Sequence, residues 1–299
     1  MFHLEIMTNT PNISIIIVTW NSSREIINCI DSVYAQNNVT CEVIVIDNAS
    51  EDNTVDLIKN YGGDILLITN TRNLGFAQAT NQGLDRAAGN YILLLNPDTI
   101  LRPEALQIMS SFMDSNPTVG ALGPQLLNPD STIQPSCREF PRPAHFVWEF
   151  TGLARLFPNH PVFGSWRMGY FDHQTRREVD QPMGACLMVR KTAIDQIGPM
   201  DDKRFPMFLN EVDWCFRLNK NGWKIYFLPE ARVIHLQGVS IKKARLAMTV
   251  SSHRSLAAFF GKHYSGNFSS CLVKLLLLTA LPFRLLFQAL SKSENFRSK

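Results

Sequence analysis

The chain has 299 residues, a length typical of one large α/β domain with an appendage or of two domains. Hydrophobic residues make up 45% of it and charged residues 18%, which supplies a sizeable core and excludes global disorder. The six cysteines are scattered without close pairs, so we exclude a zinc knuckle and expect the reduced cysteines of a cytosolic protein. The first residues lack both a basic start and a long apolar stretch, and we therefore expect no signal peptide.

The formal net charge of +3 is unevenly distributed along the chain. Residues 240–299 carry ten Lys and Arg residues and one acidic residue, so this part has a charge of +9 and the remainder −6. Such a basic segment favours an anionic partner, either a nucleic acid or a phospholipid surface. Residues 272–290 are strongly apolar, which favours the phospholipid surface and speaks against a nucleic acid.

The apolar segment 272–290 is too interrupted to cross a bilayer. Lys274 and Arg284 leave nine uncharged residues between them, whereas a membrane span needs about 20. Pro282 also breaks the helix. The pattern predicts a segment that lies in the membrane interface, and a pair of buried C-terminal helices is the alternative.

The first third of the chain alternates predicted strands and helices. Short apolar runs rich in β-branched residues, typical of strands buried on both faces of a parallel sheet, occupy residues 13–18, 42–46, 65–68 and 91–95. Helical patterns lie between and after them, at residues 24–35, 54–60, 75–87 and 103–114. The alternation predicts an open, mostly parallel α/β sheet with helices on both faces.

The middle of the chain, residues 134–182, has weak periodicity and nine aromatic residues between positions 140 and 171. We expect it to be irregular and to cover part of a site. Regular patterns then resume, with a strand at 185–190, helices at 191–197 and 212–220, and a last strand at 224–228.

Polar, turn-forming residues follow each of the first four predicted strands. They are Thr19 and Asn21, Asp47 and Ser50, Asn73 and Gly75, and Asn96 and Asp98. Each group alone is ordinary turn chemistry. The carboxyl ends of parallel strands meet at one edge of the sheet, however, and ligands of open α/β sheets bind there. The four groups together predict a binding crevice.

The side chains of this crevice suit a nucleoside diphosphate. Asp47 can accept a hydrogen bond from a base N–H or a ribose hydroxyl, and Asp98 is a hard oxygen ligand of the kind that Mg²⁺ or Mn²⁺ prefers. The turn at Asn73 and Gly75 leads into a helix whose amino end can face an anion. Neither GxxxxGK[ST] nor GxGxxG follows a predicted strand, which counts against an NTPase and a dinucleotide enzyme.

Seven stretches of the sequence closely resemble glycosyltransferase family 2. They are residues 13–21 (ISIIIVTWN), 45–52 (VIDNASED), 73–83 (NLGFAQATNQG), 94–98 (LLNPD), 184–198 (GACLMVRKTAIDQIG), 210–223 (NEVDWCFRLNKNGW) and 229–240 (PEARVIHLQGVS). The resemblance covers residues 13–240. Within the family it is greatest to rhamnosyltransferases that act on polyprenyl-diphosphate-linked sugars.

The resemblance implies a GT-A fold over residues 1–240, with a nucleotide-binding half at 11–125 and an acceptor half at 126–240. Residues 241–299 would then form basic, apolar C-terminal helices that associate with a membrane. The resemblance implies nucleotide-pocket roles for Thr19, Asn21, Asp47 (at the base), Ser50, Asn73, Gly75 and Asn96. It implies that Gly184, Ala185, Asp213 and Trp214 lie on the side of the donor sugar and the acceptor.

Asn96-Pro97-Asp98 stands where the family has its DxD metal motif, but it has Asn at the first position. The resemblance therefore makes Asp98 the remaining carboxylate ligand of Mg²⁺ or Mn²⁺. His235 matches a family position that can approach the metal or the diphosphate. A packed, hydrogen-bonded histidine is the alternative interpretation of His235.

The general base is expected in the stretch Asn210-Glu211-Val212-Asp213, where the family usually has Glu-Asp-x-Asp. Alignment on Asp213 makes Glu211 the catalytic carboxylate. Residues two apart on a helix point to different sides, so Glu211 and Asp213 cannot share one task. The helix start favours an ionised Glu211, as abstraction of a hydroxyl proton requires. Asp213 as the base, or Glu211 as a helix-start charge without chemistry, are the alternatives.

The resemblance implies inverting transfer from a nucleoside-diphosphate sugar, with L-rhamnose from dTDP-L-rhamnose favoured. The implied acceptor is a polyprenyl-diphosphate-linked saccharide of cell-surface polysaccharide synthesis, at the cytoplasmic face of the inner membrane and its anionic surface. A UDP- or GDP-sugar donor and a non-catalytic membrane-bound relative are alternatives. A sugar-nucleotide pyrophosphorylase is disfavoured because no Gly-rich loop bearing Arg or Lys follows the first strand.

Overall fold

The computed structural model describes residues 11–236 and 245–266, together with residues 271, 273–277 and 279. Its first third alternates strands and helices: β1 (Ile13–Thr19), α1 (Ile26–Tyr34), β2 (Cys41–Asp47), α2 (Thr54–Lys59), β3 (Ile65–Thr69), α3 (Phe76–Leu84) and β4 (Tyr91–Leu95). These elements confirm the predicted ones, with ends that differ by at most three residues.

The rest of the described chain is less regular. It contains β5 (Thr99–Leu101), α4 (Ala105–Ser115), β6 (Val119–Leu127), β7 (Ile133–Gln134), β8 (Cys137–Arg138), α5 (Pro143–Thr151), α6 (Leu153–Leu156), a 3₁₀ turn (Ser165–Arg167), β9 (Arg177–Glu178), β10 (Gln181–Pro182), β11 (Cys186–Arg190), α7 (Lys191–Ile197), α8 (Asn210–Lys220), β12 (Lys224–His235) and α9 (Arg245–His263). Strands β5 and β6 were not expected from the sequence, and β12 is longer than predicted. The segment expected to be irregular contains two-residue strands and short helices.

The main sheet is mostly parallel, with the strand order β3-β2-β1-β4-β11-β6-β12-β5. Strand β1 is parallel to β2 and β4, and β6 is parallel to β12. Strand β11 runs antiparallel to both of its neighbours, β4 and β6. The chain order reverses at β1, which lies between β2 and β4, so a crevice opens at the carboxyl ends of β1 and β4.

Helices cover both faces of this sheet. On one face, Ile15 and Ile17 of β1 pack in a cluster with Ile30 of α1 and Met109 of α4. On the other face, Ile16 belongs to a second cluster that contains residues of α3, α7, α8 and α9. Because side chains alternate along a strand, the unbroken apolar run of β1 contributes to both cores.

A buried carboxylate attaches α9 to α8. Asp213 has no exposed surface and accepts hydrogen bonds from Arg217 Nε (2.9 Å) and His263 Nε2 (2.7 Å), with Lys262 Nζ at 2.8 Å. Lys262 also pairs with Asp201 at 2.8 Å. Burial alone would raise the pKa of Asp213, but the hydrogen bonds from His263 and Lys262 and the charge of Arg217 bring it below its usual value.

The C-terminal residues that the structure describes pack on the domain. Phe260 of α9 is fully buried and shares a cluster with Val273, Leu277 and Phe146 of α5. The burial of Val273 and Leu277 agrees with the alternative prediction of buried C-terminal helices. Much of the segment 272–290 lies outside the described residues. Within the described ranges, no helix combines the length and apolarity that a membrane crossing requires.

Replacement of Asp213 by Asn tests the attachment of α9. Asn keeps the shape of the side chain but leaves Arg217 without its buried counter-charge and Lys262 with Asp201 alone, so we expect the free energy of unfolding to fall by ~3–5 kcal/mol. Because the pKa of Asp213 is lowered in the folded state, its contribution is present above the usual Asp pKa and is lost as the pH falls through the folded value.

Urea unfolding at neutral pH measures this loss. Asp195→Asn, which removes the exposed partner of Lys191, is the matched control, with an expected change of ~0.5 kcal/mol or less. Equal losses in the two variants would contradict the structural role given to Asp213.

Candidate active site

Asp47 joins the loops that follow β1 and β2. Its carboxylate is almost fully buried and accepts hydrogen bonds from the Thr19 hydroxyl (2.9 Å), the Ser50 hydroxyl (2.5 Å) and the Ser50 N–H (2.8 Å). Three predicted nucleotide-pocket residues therefore lie together at the crevice. In this arrangement Asp47 orients both hydroxyl groups.

Asn21 connects the same two loops a second time. Its backbone is left-handed (φ +52°), a conformation that Asn tolerates better than most residues. The Asn21 N–H donates to Ser50 Oγ (2.8 Å), and the side-chain Oδ1 accepts from the Glu51 N–H (2.8 Å). The ends of β1 and β2 thus form one connected wall of the crevice.

Gly75 allows the loop after β3 to approach the rest of the site. Its φ is +86°, and a Cβ atom at this position would lie 2.8 Å from the Pro206 carbonyl oxygen. The Gly75 N–H donates to Asn73 Oδ1 (2.9 Å), and Asn48 Nδ2 donates to the Gly75 carbonyl oxygen (3.1 Å). Because only glycine suits both the backbone angle and the contact, the predicted Asn73–Gly75 turn is a specific feature of the start of α3.

Asp98, the residue before β5, and His235, the last residue of β12, lie close together. Asp98 Oδ1 lies 3.5 Å from His235 Nε2, and His235 Nδ1 lies 2.8 Å from Gln134 Oε1. The Gln134 amide nitrogen donates to Asn128 Oδ1 (3.0 Å) and to the His235 carbonyl oxygen (3.3 Å). These bonds assign Gln134 Oε1 as an acceptor. His235 Nδ1 therefore carries a proton, and in the neutral ring the Nε2 lone pair faces Asp98.

This pair fits a divalent cation. A carboxylate oxygen and an imidazole nitrogen 3.5 Å apart offer two electron pairs to one ion. A hydrogen-bond acceptor behind the ring, here Gln134, is the usual support of a metal-ligating histidine. Two protein ligands leave positions on Mg²⁺ or Mn²⁺ for phosphate oxygens and water. Among the described residues, no group of three or more His, Cys, Asp or Glu side chains could hold a metal.

A backbone hydrogen bond links this loop to the predicted base. The Asn96 N–H donates to the Ala185 carbonyl oxygen (2.9 Å), which ties the end of β4 to the start of β11. The preceding residue, Gly184, lies against Glu211, since a Cβ atom on Gly184 would be 3.2 Å from Glu211 Cγ. Asn96, Ala185, Gly184 and Glu211, all predicted site residues, thus connect the Asp98 loop to the start of α8.

Glu211 lies in the first turn of α8 and is partly exposed. Desolvation by the surrounding protein raises its pKa, whereas the Glu211 and Val212 N–H groups and the charge of Arg138 act in the opposite direction. The expected effect of the helix start is present, but desolvation outweighs it. A carboxylate with a raised pKa is a stronger base than an ordinary Glu, which suits removal of a hydroxyl proton.

Arg138 is a residue of this region that the sequence did not reveal. It lies on β8, whose partner β10 leads into Gly184. Its side chain is partly buried, and this burial is the main cause of a lowered guanidinium pKa. Within the described part of the chain, the guanidinium of Arg138 makes no hydrogen bond or ion pair, and only its backbone is paired, with β10. No motif marked it, because the segment around it lacks periodicity.

His173 holds the strand that carries Arg138. Its Nε2 accepts hydrogen bonds from the Ser136 N–H (3.1 Å) and the Cys137 N–H (3.2 Å), while Nδ1 lies 2.9 Å from the Phe171 carbonyl oxygen. Burial lowers the pKa of His173, which favours the neutral ring that these bonds require. The position of β8 therefore depends on a histidine that acts as an acceptor.

Two predicted site residues point away from the crevice. Trp214 has no exposed surface, and its Nε1–H donates to the Gly198 carbonyl oxygen (3.0 Å). Asp213 is equally buried and faces α9. Neither side chain faces the crevice in this structure, because both project from other faces of α8 than Glu211 does, and their role on the acceptor side stays a prediction. The ion pairs of Asp213 favour Glu211 over Asp213 as the base.

Comparisons with known proteins agree with this architecture. Residues 14–175, more than half of the chain, match the family model Glycosyl transferase family 2. Over 272 residues the chain is 26% identical to N-acetylglucosaminyl-diphospho-decaprenol L-rhamnosyltransferase of Mycobacterium tuberculosis, and the match covers 86% of each protein. It is 25% identical over 236 residues to the low-salt glycan biosynthesis hexosyltransferase Agl10 of Haloferax volcanii, covering 78% of this chain and 69% of that protein.

Two solved structures share the fold. The mannosyltransferase PcManGT from Pyrobaculum calidifontis, solved with GDP-Man and Mn²⁺, matches with a TM-score of 0.59 at 18% identity, covering 98% of this chain and 77% of that one. GalNAc-T7, solved with UDP, GalNAc and Mn²⁺, matches with a TM-score of 0.59 at 14% identity, covering 84% of this chain and 48% of that one. The predicted GT-A-like α/β fold is confirmed, and the chain belongs to glycosyltransferase family 2 and is a glycosyltransferase.

Proposed function

We propose that this glycosyltransferase transfers L-rhamnose from dTDP-L-rhamnose, with inversion, to a polyprenyl-diphosphate-linked saccharide in cell-surface polysaccharide synthesis. The observation that carries the proposal is the contact of Gly184 with Glu211, which connects a basic carboxylate to the loop of Asp98. An attacking hydroxyl and a departing diphosphate need these two kinds of group at neighbouring positions.

In the proposed reaction, Glu211 removes the proton of the acceptor hydroxyl as the hydroxyl oxygen attacks the anomeric carbon. The attack comes from the face opposite the diphosphate. The bond between the anomeric carbon and the diphosphate oxygen breaks, and the nucleoside diphosphate leaves with the electron pair. Direct displacement inverts the anomeric centre and needs no enzyme nucleophile. The proton on Glu211 passes to solvent before the next turnover.

Asp98 and His235 would hold Mg²⁺ or Mn²⁺. When bound, the cation offsets the negative charge of the departing diphosphate. The lone-pair geometry at Asp98 supports this assignment, as does the Mn²⁺ in the two solved structures with this fold. Because Asn96 replaces the first carboxylate of the DxD motif, His235 would serve as the second protein ligand.

The connected wall at the ends of β1 and β2 would receive the nucleoside. Ser50 and Asn21 are partly exposed there and would contact the nucleoside, whereas the buried Asp47 and Thr19 would act by holding Ser50 in place. The Asn73–Gly75 turn would border the same pocket from the β3 side.

The donor and acceptor are proposed from the Mycobacterium tuberculosis relative, which is named for a rhamnosyl transfer to a diphospho-decaprenol-linked sugar. A UDP- or GDP-sugar donor is the second candidate, because the solved structures contain UDP and GDP-Man. We further propose a peripheral location at the cytoplasmic face of the inner membrane, which the charge of +9 in residues 240–299 supports.

A nucleotide-release assay tests the function directly. Sugar nucleotides with dTDP, UDP and GDP are each supplied with Mg²⁺ or Mn²⁺, with and without a polyprenyl-diphosphate-linked GlcNAc. We expect acceptor-stimulated release of dTDP from dTDP-rhamnose. Release of UDP or GDP would be consistent with the proposed mechanism but would contradict dTDP-L-rhamnose as the donor. Bound nucleotide without release from any donor would favour a non-catalytic relative.

Glu211→Gln tests the base. The amide cannot take a proton, so we expect turnover to fall by about 10²–10⁴-fold, while the dissociation constant for the nucleoside diphosphate changes by less than about twofold. Glu230→Gln, which alters an exposed carboxylate paired with Arg176, is the matched control. Full turnover in Glu211→Gln would overturn the assignment of the base.

Arg138→Gln tests the electrostatic tuning of that base. The charge of Arg138 lowers the pKa of Glu211, so its removal raises this pKa and moves the acidic limb of the pH profile of kcat to higher pH. Arg138→Lys keeps the charge and should leave the limb close to that of the wild type. A limb that stays in place in Arg138→Gln, or moves to lower pH, contradicts this role.

Gln134→Leu tests the support of His235. Loss of the acceptor behind the ring frees its orientation and tautomer, so we expect the half-saturating Mn²⁺ concentration to rise by about 10–100-fold. The control is Gln107→Leu on α4, where the side-chain oxygen accepts a hydrogen bond from the exposed Asn38 amide. An unchanged Mn²⁺ requirement in Gln134→Leu would show that His235 does not bind the metal.

A further inference from the structure

Exposed apolar side chains are concentrated on one small part of the molecule. Ten large hydrophobic residues are exposed in the described part of the chain, and five of them lie between positions 147 and 162. These five, which we call the hairpin surface, are Val147, Phe150, Leu156, Phe157 and Val162. They belong to α5, α6 and the loop that follows. Contiguous exposed apolar groups of this kind mark an interaction site in soluble proteins.

Aromatic and ionic contacts fix the backbone beneath the hairpin surface. Trp148 packs edge-on against Phe163 with ring centroids 5.2 Å apart, and Phe157 contacts the same ring at 5.9 Å. Arg167 binds Glu149 through two hydrogen bonds (2.9 and 3.1 Å), which ties the end of the loop to α5. The exposed side chains are therefore held outward by contacts beneath them.

The outer side of this region is open to solvent. Phe146 of α5 is buried and packs against Trp166 and Phe260, whereas Val147 and Leu156 face solvent, Leu156 with 71% of its surface exposed. Nothing lies within 4 Å of a Cβ atom built on Gly152, at the turn between α5 and α6. A protruding apolar edge of this kind suits insertion into a lipid interface better than it suits capture of a peptide in a groove.

The charges around the hairpin surface suit anionic lipid. Residues 141–171 contain three Arg, one Glu and no Asp. Arg167 pairs with Glu149, and Arg142 lies near Glu139 and Asp180, but in each pair the Arg side chain is the more exposed partner. Leu275, on the C-terminal residues that pack against Phe146, is also exposed. Residues 280–299, which lie outside the described part of the chain, contain four basic residues and one acidic residue.

The hairpin surface also adjoins the active site. The Glu139 N–H donates to the Trp166 carbonyl oxygen (3.1 Å), so the base of the hairpin is bonded to the residue after Arg138. The charge of Arg138 in turn acts on Glu211. A bilayer that receives the hairpin surface would therefore lie beside the entrance used by the acceptor.

We propose that the hairpin surface docks on an anionic phospholipid bilayer, with Leu156, Phe157 and Phe150 in the interface and Arg155 at the headgroups. The proposal rests on the proposed function for its purpose, because a lipid-linked acceptor lies in such a bilayer. It differs from membrane attachment through residues 241–299 alone, because here the folded domain itself contacts the bilayer.

The experiment is vesicle co-sedimentation of the full chain. Vesicles of phosphatidylcholine with about one-third phosphatidylglycerol are compared with pure phosphatidylcholine. Leu156→Gln is the test variant, and Leu66→Gln, at another exposed leucine, on β3, is the matched control. We expect Leu156→Gln to lower the partition coefficient by about tenfold, and Leu66→Gln to change it by less than about twofold.

Each other outcome overturns the proposal. Absence of binding by the wild type excludes a membrane-docking surface, and equal binding by Leu156→Gln and the wild type assigns the contact to another part of the chain. A wild-type dimer in light scattering that Leu156→Gln dissociates would make the hairpin surface a self-interface. Transfer to a soluble short-chain acceptor, measured on the same variants, reports on the proposed function separately and should be unchanged.

Discussion

The pairing of β4 with β11 holds the two halves of the active site together, and its last hydrogen bond runs from the Asn96 N–H to the Ala185 carbonyl oxygen. This hydrogen bond forms because β11 is antiparallel to β4, so the start of β11 lies beside the end of β4. Gly184 then reaches Glu211 from this junction, and Asp98 follows Asn96 by two residues. A parallel β11 would begin at the opposite edge of the sheet, and the predicted base would lose its contact with the Asp98 loop.

Two carboxylates of α8, those of Glu211 and Asp213, have pKa values shifted in opposite directions. Glu211 is partly desolvated, which raises its pKa, and Arg138 limits that rise. Asp213, two residues further along the same helix, is surrounded by three cationic or donor side chains, which lower its pKa. The periodicity of α8 thus separates a base on one face from a structural anion on another, and only the first is free to accept a proton.

The sequence predicted the elements with strong local signals and missed those defined by distant contacts. The apolar runs of β1 to β4 and the polar residues after them were sufficient for the crevice. Strand β6 was missed because its sequence VGALGPQLL contains two Gly and one Pro. The structure explains Gly123 there, since a Cβ atom would lie 2.4 Å from Pro182 Cβ. Gln134 contacts His235 although the two residues are 101 positions apart in the chain, and no local pattern shows such a contact. The burial of Trp214 likewise depends on a distant partner, the Gly198 carbonyl oxygen.

The central claim is that Asp98, His235 and Glu211 surround one reacting centre. Crystals grown with a nucleoside diphosphate and Mn²⁺ test it through the anomalous scattering of manganese. The account predicts a single strong peak bound by Asp98 Oδ1, His235 Nε2 and the diphosphate, with the Glu211 carboxylate on the side where the sugar would lie. A manganese ion bound away from His235, or a diphosphate on the far side of Gly184 from Glu211, would contradict it.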